Sequence, residues 1–301
     1  MRSSWQLLVP AVEALPNKPV YCVAAETICS DFFWPEVSGC IQLDPSLKTT
    51  IPPPAGALSL YLAGQRTVYD GPGLIGGQQA NFRLLAHGAD LELDIARFGR
   101  VQFSASARSS RCELDAALEP RLHADFLLGP PLLLMLACAR QYCLHASVIA
   151  HRGRAVAILG ASGTGKSTAA RELCRRQGWQ RMADDVAPVM VSAGAVQVFG
   201  NFPQLKVAAD PRWLHGPVEL VGVLDLRLCT KHLAPRRMDT AALALKLVSV
   251  TMAARLFTPA MLSTHLRDLA QAAAMLEACS MDYSHSAAAL DALEQAVARW
   301  L

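Results

Sequence analysis

Apolar and polar positions change their spacing near residue 120, and the change predicts two kinds of structure. Residues 90–95 alternate, with Leu91, Leu93 and Ile95 separated by Glu92 and Asp94, the period of two expected of a strand with one wet face. Further strand-like runs lie at 19–24, 57–62 and 100–104. With Pro52-Pro53-Pro54, Asp70-Gly71-Pro72-Gly73 and Gly76-Gly77 as turns, the first 120 residues read as a small β-rich domain. From Pro120 the order becomes helix, strand, loop, helix, strand. The elements are a buried helix over 131–142, a strand over 146–150, a turn at His151-Arg152-Gly153-Arg154, an apolar strand over 155–159, a helix over 167–175 and a strand over 179–183. A hairpin over 187–199 turning at Ala193-Gly194 and a strand over 218–226 follow. The tail, 240–301, is rich in alanine and leucine and predicts helices broken at Thr258-Pro259 and over 280–286. The expectation is an α/β fold, with a catalytic domain over 121–301 preceded by a β-rich N-terminal domain over 1–120 suited to substrate recognition.

The strand over 155–159 and the helix after it enclose the chemistry. Between them the chain reads Gly160-Ala161-Ser162-Gly163-Thr164-Gly165-Lys166-Ser167-Thr168, which fits G-x-x-x-x-G-K-[ST] at every fixed position. Glycines there let backbone N–H groups converge on phosphate oxygens, and the following helix points the positive end of its dipole at them. Lys166 would reach the β- and γ-phosphates and Ser167 would ligate Mg²⁺. Such a loop predicts a nucleotide site.

Composition narrows the partners. With 301 residues and 52% apolar content the chain can bury one large core or two medium ones. A net charge of +3 without a Lys/Arg block gives no support for nucleic acid or a membrane surface. The apolar run 126–139 contains Gly129-Pro130-Pro131 and is too short and broken for a membrane span, which favours a buried helix. Nine cysteines without C-x-x-C spacing suggest a reducing compartment, and the stretch after Met1 is interrupted by Pro10, Glu13 and Pro16, a poor signal-peptide core. The expected location is cytoplasmic.

A phosphate loop needs an acidic partner, and two candidates compete. Asp184-Asp185 follow Lys166 by 18 and 19 residues, close enough for the strand after the loop helix to return them to the phosphates. Asp225 ends the apolar run 220–224 in the manner of a Walker B segment. The pair is favoured, because adjacent carboxylates repel and one can bind metal while the other accepts a hydroxyl proton. His145 precedes the strand leading to the loop, which places it near the rim of the site. The histidines show no metal-ligand spacing.

With Leu144-His145-Ala146, the loop at 160–168 and Ala183-Asp184-Asp185, the second half resembles the HPr kinase/phosphorylase family in order and spacing over about 126–189. Asn201-Phe202-Pro203-Gln204-Leu205-Lys206 resembles the small HPr-kinase-like proteins of lasso-peptide and other modified-peptide pathways. The resemblance implies ATP on Lys166 and residues 160–168, Mg²⁺ on Ser167, and Asp184 and Asp185 as catalytic base and metal partner, in an order left open. It also implies a place for His145 near the transferred phosphate, where Ala146 replaces the family's glycine. The family's metal-binding glutamate has its nearest counterpart in Glu219, within Val218-Glu219-Leu220-Val221-Gly222, which lacks the family's arginine. HPr enzymes form rings of subunits, so the resemblance is compatible with a homo-oligomer that no residue pattern in this chain requires.

The reading is an ATP-dependent kinase acting on a hydroxyl, serine above all, of a peptide or small protein such as a ribosomal precursor peptide. The alternatives are a small-molecule kinase and a non-kinase nucleotide switch or ATPase.

Overall fold

The computed structural model describes residues 20–23, 26–29, 65–104, 109–176, 178–192, 194–200, 202, 213–229, 234–284 and 286–301. The expected strand at 57–62, the Pro52-Pro53-Pro54 turn and most of 201–206 lie outside them. The chain divides into two compact units, Met1–Ala139 with Ala253–Leu262, and Arg140–Met252 with Ser263–Leu301. The helices just after residue 120 belong to the first unit.

In that first unit, β1 (Val20–Val23) and β2 (Glu26–Cys29) form an antiparallel pair. A five-stranded antiparallel meander follows, in sequence order: β3 (Arg66–Ile75), β4 (Gln78–His87), β5 (Asp90–Ile95), β6 (Gly99–Ser104) and β7 (Ser109–Leu114). Leu91, Leu93 and Ile95 are buried and their acidic neighbours half-buried, as the alternation predicts. Gly76 and Gly77 turn β3 into β4 with φ of 54° and 77°, the left-handed pair a tight hairpin requires.

Asp70-Gly71-Pro72-Gly73 is not a turn but the middle of β3. Proline is tolerated there because β3 is an edge strand of the meander, paired with β4 alone. Gly73 leaves room for the Phe82 ring, which would lie 2.6 Å from a Cβ added at that position. After β7 come α1 (His123–Leu127) and α2 (Pro130–Cys138), which buries Leu132, Leu133, Leu134 and Leu136. Taken as one helical stretch, Pro120–Cys138 is long and apolar enough by composition to cross a membrane, with half of it buried within the chain.

The expected helix over 131–142 stops at Cys138 because Arg140 takes a φ of 60° and residues 141–144 form a wholly buried strand, β8 (Gln141–Leu144). The second unit continues with β9 (Ser147–His151), β10 (Arg154–Gly160), α3 (Lys166–Leu173), β11 (Trp179–Asp184), β12 (Ala187–Ser192), β13 (Ala195–Phe199) and β14 (Pro217–Leu228). Then come β15 (Arg236–Arg237), α4 (Thr240–Ser249), α5 (Pro259–Met275), which starts within the first unit's returning segment, β16 (Glu277–Tyr283) and α6 (Ala287–Ala298). The strand order is β11-β9-β10-β14-β13-β12-β8, with β16 beside β14 and β15 beside β16. Twelve-residue β14 serves two neighbours on one side, β13 through residues 217–219 and β16 through 222–228.

The break expected over 280–286 is largely strand. Residues 277–283 alternate in burial from Cys279 onward and pair parallel with β14, a long-range contact that local composition does not reveal.

Residues 145–146 join β8 to β9, and 185–186 join β11 to β12, although each link connects strands from opposite ends of the order. Five strand spacings of about 4.8 Å separate β8 from β9 in a flat sheet, far more than a two-residue link can span. The sheet therefore curls, and both links lie at the seam where its ends approach.

Two features of the packing carry stability. Gly222 on β14 faces Trp300, whose ring would lie 2.3 Å from an added Cβ. Gly222→Val is expected to cost roughly 1–3 kcal/mol in urea unfolding, the range for overpacking a well-filled site. A near-neutral result would mean that Trp300 does not pack there.

Asp268 on α5 accepts two bonds from Arg140, at 3.0 and 2.7 Å, and one from the Tyr142 hydroxyl at 2.9 Å. Beside it His265 is fully buried (0% exposed), edge-on to Tyr142, with Nε2 3.0 Å from Thr251 Oγ1. The Thr251 hydroxyl donates to Leu247 O, so Nε2 is the donor to it. Burial holds the His265 imidazole below its ordinary value, with Asp268 pulling the other way. A histidine neutral when folded and protonated when unfolded contributes stability above its unfolded pKa of about 6.5 that is lost as pH falls below it. The unfolding midpoint should therefore drop more steeply from pH 7 to pH 5 in the wild type than in His265→Gln; parallel profiles would contradict this.

Candidate functional site

The phosphate loop is held between a buried strand and a helix with a buried face. From Ala155 onward β10 is wholly buried, and α3 buries Ala169, Ala170 and Leu173. Between them the chain turns outward at Gly160, whose φ of 149° favours glycine and where a Cβ would come 2.6 Å from Leu226 O. Ala161, Ser162 and Gly163 face solvent, and Ser167 is exposed on the first turn of α3. Thr164 Oγ1 donates to Ala161 O at 2.9 Å and steadies the bend.

Lys166 is 7% exposed and folds back so that Nζ donates to Gly160 O at 2.9 Å and Ala161 O at 3.0 Å. A buried ammonium needs oxygen partners, and these carbonyls provide them within the loop. Phosphate oxygens entering the loop would offer stronger, charge-assisted partners to the same atom. That is the fit the loop would offer to a nucleoside triphosphate.

Register places the other candidates on the same rim. Gly160 lies opposite Leu226, Leu159 opposite Asp225, Ile158 opposite Ser147, and Ser147 opposite Asp184. Asp225 is thus one strand from the loop strand, and Asp184 two strands, roughly 10 Å, on the other side.

Asp184 is 4% exposed, accepts from Ser147 Oγ at 2.5 Å and is ion-paired with Arg181, whose guanidinium lies 4.7 Å above the Trp213 ring. Its neighbour behaves differently. Asp185 has a φ of 84°, rare for a residue with a side chain, and this aims both its O and its Oδ1 at His145 Nδ1, each at 3.1 Å. A carbonyl only accepts, so Nδ1 carries the proton and Nε2 is the nitrogen able to take another. The His145 backbone N–H donates to Val250 O at 2.8 Å, fixing the link from β8 to β9. The two carboxylates, expected to repel within one site, have separate partners on separate elements.

Glu219 does not join the rim. It lies opposite Arg154 and Gln197, exposed, at the far end of β14 and roughly 20 Å from the loop by strand rise. Its expected metal role is corrected on that ground, because strand direction carries it away from Ser167.

Asp225, by contrast, is 4% exposed beside the loop, with Lys246 Nζ at 2.6 Å from Oδ1 and Arg227 Nε at 3.9 Å from Oδ2. A cleft of about 920 Å³ opens there, lined by Ser162, Gly163, Asp225, Met238, Leu245 and Lys246 among others. Among the described residues no group of three or more His, Cys, Asp or Glu side chains is placed to hold a metal ion. A metal at this rim would rest on a hydroxyl, one carboxylate and the nucleotide's own oxygens, the usual habit of Mg²⁺.

Sequence reasoning missed Ser147, Arg181 and Lys246. The first leaves a faint signal, a serine opening an otherwise apolar strand; the other two depend on long-range pairing.

No protein-family model matches the chain, and no curated protein matches it. Among solved structures it is similar to the Hpr(Ser) kinase/phosphatase from Coxiella burnetii, at 12% identity and a TM-score of 0.32 over 52% of this chain and 95% of that one.

Proposed function

We propose that the chain is an ATP-dependent phosphotransferase that moves the γ-phosphoryl group to a hydroxyl, serine above all, of a peptide or small protein. One observation supports this most: the phosphate loop and the His145–Asp185 pair share one rim of one curled sheet. Lys166 exchanges the carbonyls of Gly160 and Ala161 for phosphate oxygens and holds the charge that builds on the transferring group. Ser167 presents its hydroxyl to the metal. Mg²⁺, when bound with the nucleotide, supplies further positive charge to the phosphates.

The acceptor hydroxyl gives its proton to His145 Nε2 as its oxygen bonds to the γ-phosphorus and the bond to the bridging oxygen of ADP breaks. Asp185 holds the imidazole in the right tautomer and stabilises the cation that forms. Asp184 keeps Arg181 and Ser147 in place beneath the pair. Location in the cytoplasm, assembly with further copies and recognition of the acceptor by the β-rich unit belong to the same proposal.

A second reading draws on Asp225, which neighbours the loop strand as the Walker B carboxylate does in ATPases that transfer phosphate to water. Incubation with γ-labelled ATP in a cell extract separates the readings. Label on a polypeptide supports the proposal; label on a metabolite indicates a small-molecule kinase, and label in free phosphate alone indicates an ATPase.

A further inference from the structure

Lys246 is the feature that neither the motif nor the proposed transfer step explains. It projects from the last turn of α4 to within 2.6 Å of Asp225 Oδ1, yet outside hydrogen-bonding geometry, so the contact is charge against charge rather than a directed bond. Asp225 is buried on the strand next to the phosphate loop, and both residues line the cleft that the loop opens into. A buried carboxylate beside a triphosphate repels it unless a cation stands between them. In the chain as described, that cation is a lysine on a long flexible stem. Arg227 lies further off and is largely exposed, so it is a weaker partner.

The other acidic candidates, Asp184, Asp185 and Glu219, are placed elsewhere. Asp184 is held by Arg181 and Ser147, Asp185 by His145, and Glu219 lies at the far end of β14.

We propose that Asp225 is the protein carboxylate of the Mg²⁺ site and that Lys246 occupies its charge until Mg-nucleotide arrives. Resting on the nucleotide reading above, this inference names the metal ligand and a cation exchange at the same rim. Ser167 from α3 and Asp225 from β14 flank the cation, and Lys246 swings from Asp225 toward the cleft, where phosphate oxygens are its new partners. No bond is made or broken in the exchange; one cation replaces another at one carboxylate.

Calorimetric titration with ADP, with and without Mg²⁺, tests it without any turnover. In the wild type Mg²⁺ should tighten ADP binding about tenfold, a coupling of ordinary size, and in Asp225→Asn less than about twofold. Lys246→Met, which removes the competing cation, should bind Mn²⁺ about tenfold more tightly than the wild type in the absence of nucleotide. Undiminished Mg²⁺ dependence in Asp225→Asn, or its loss in Asp184→Asn instead, would overturn the inference and leave the nucleotide reading standing. Unchanged Mn²⁺ affinity in Lys246→Met would overturn the exchange even if Asp225→Asn does not fold. No ADP binding by the wild type would overturn the nucleotide reading, and this inference with it.

Discussion

Lys166→Ala is expected to lower phosphoryl transfer by about 100- to 1,000-fold, because one preorganised donor on a developing charge is worth that much in a water-poor site. The reason is positional. Nζ already sits in the loop with two carbonyl partners, and on the proposed reading it would exchange them for phosphate oxygens with little rearrangement. Stability provides the control. Gly160 O and Ala161 O lose one donor each, a change of about 1 kcal/mol, so the variant should remain folded under assay conditions. Initial rates at saturating ATP check the prediction, and near-wild-type transfer would remove the loop from the chemistry.

The second large effect is expected at the seam. Asp185→Asn and His145→Gln should each cost at least about 100-fold in turnover, the usual contribution of a positioned proton acceptor. Asparagine at 185 can still accept from Nδ1 but no longer stabilises the imidazolium, so its loss should fall on kcat rather than KM. Asp184→Asn is expected to cost at least as much, by a different route: it leaves the half-buried Arg181 opposite a neutral side chain and loosens the support of the pair. Unfolding curves separate the two, with a lowered midpoint for Asp184→Asn and a nearly unchanged one for His145→Gln. Full activity in both Asp184→Asn and Asp185→Asn would remove the pair from the chemistry.

Local signals in the sequence sufficed where local physics decides. The alternation at Leu91, Leu93 and Ile95, the strand-loop-helix around Gly160 and the hairpin turning at Gly194 each depend on neighbours a few residues apart. They failed where distant pairing overrides composition. Asp70-Gly71-Pro72-Gly73 reads as a turn, yet an edge position in the meander accepts it as strand. Residues 277–283 read as a break between helices, yet β14 recruits them as a parallel strand.

The site divides along the same line. Lys166 and Ser167 are fixed by the motif itself. Asp225 gains its place only because β14 pairs parallel with β10, and Glu219, six residues earlier on the same strand, loses its place for the same reason. The partnership of His145 with Asp185 depends on a left-handed backbone at Asp185 that no residue pattern announces.

Transfer to a hydroxyl rather than to water is the central claim, and the fate of the γ-phosphoryl group in ¹⁸O-enriched water tests it directly. Mass spectrometry of the products should find an acceptor polypeptide carrying phosphate without heavy oxygen, absent when Lys166→Ala replaces the wild type. Heavy oxygen appearing in free phosphate at the full rate of ATP loss, with no phosphorylated acceptor, would contradict the account.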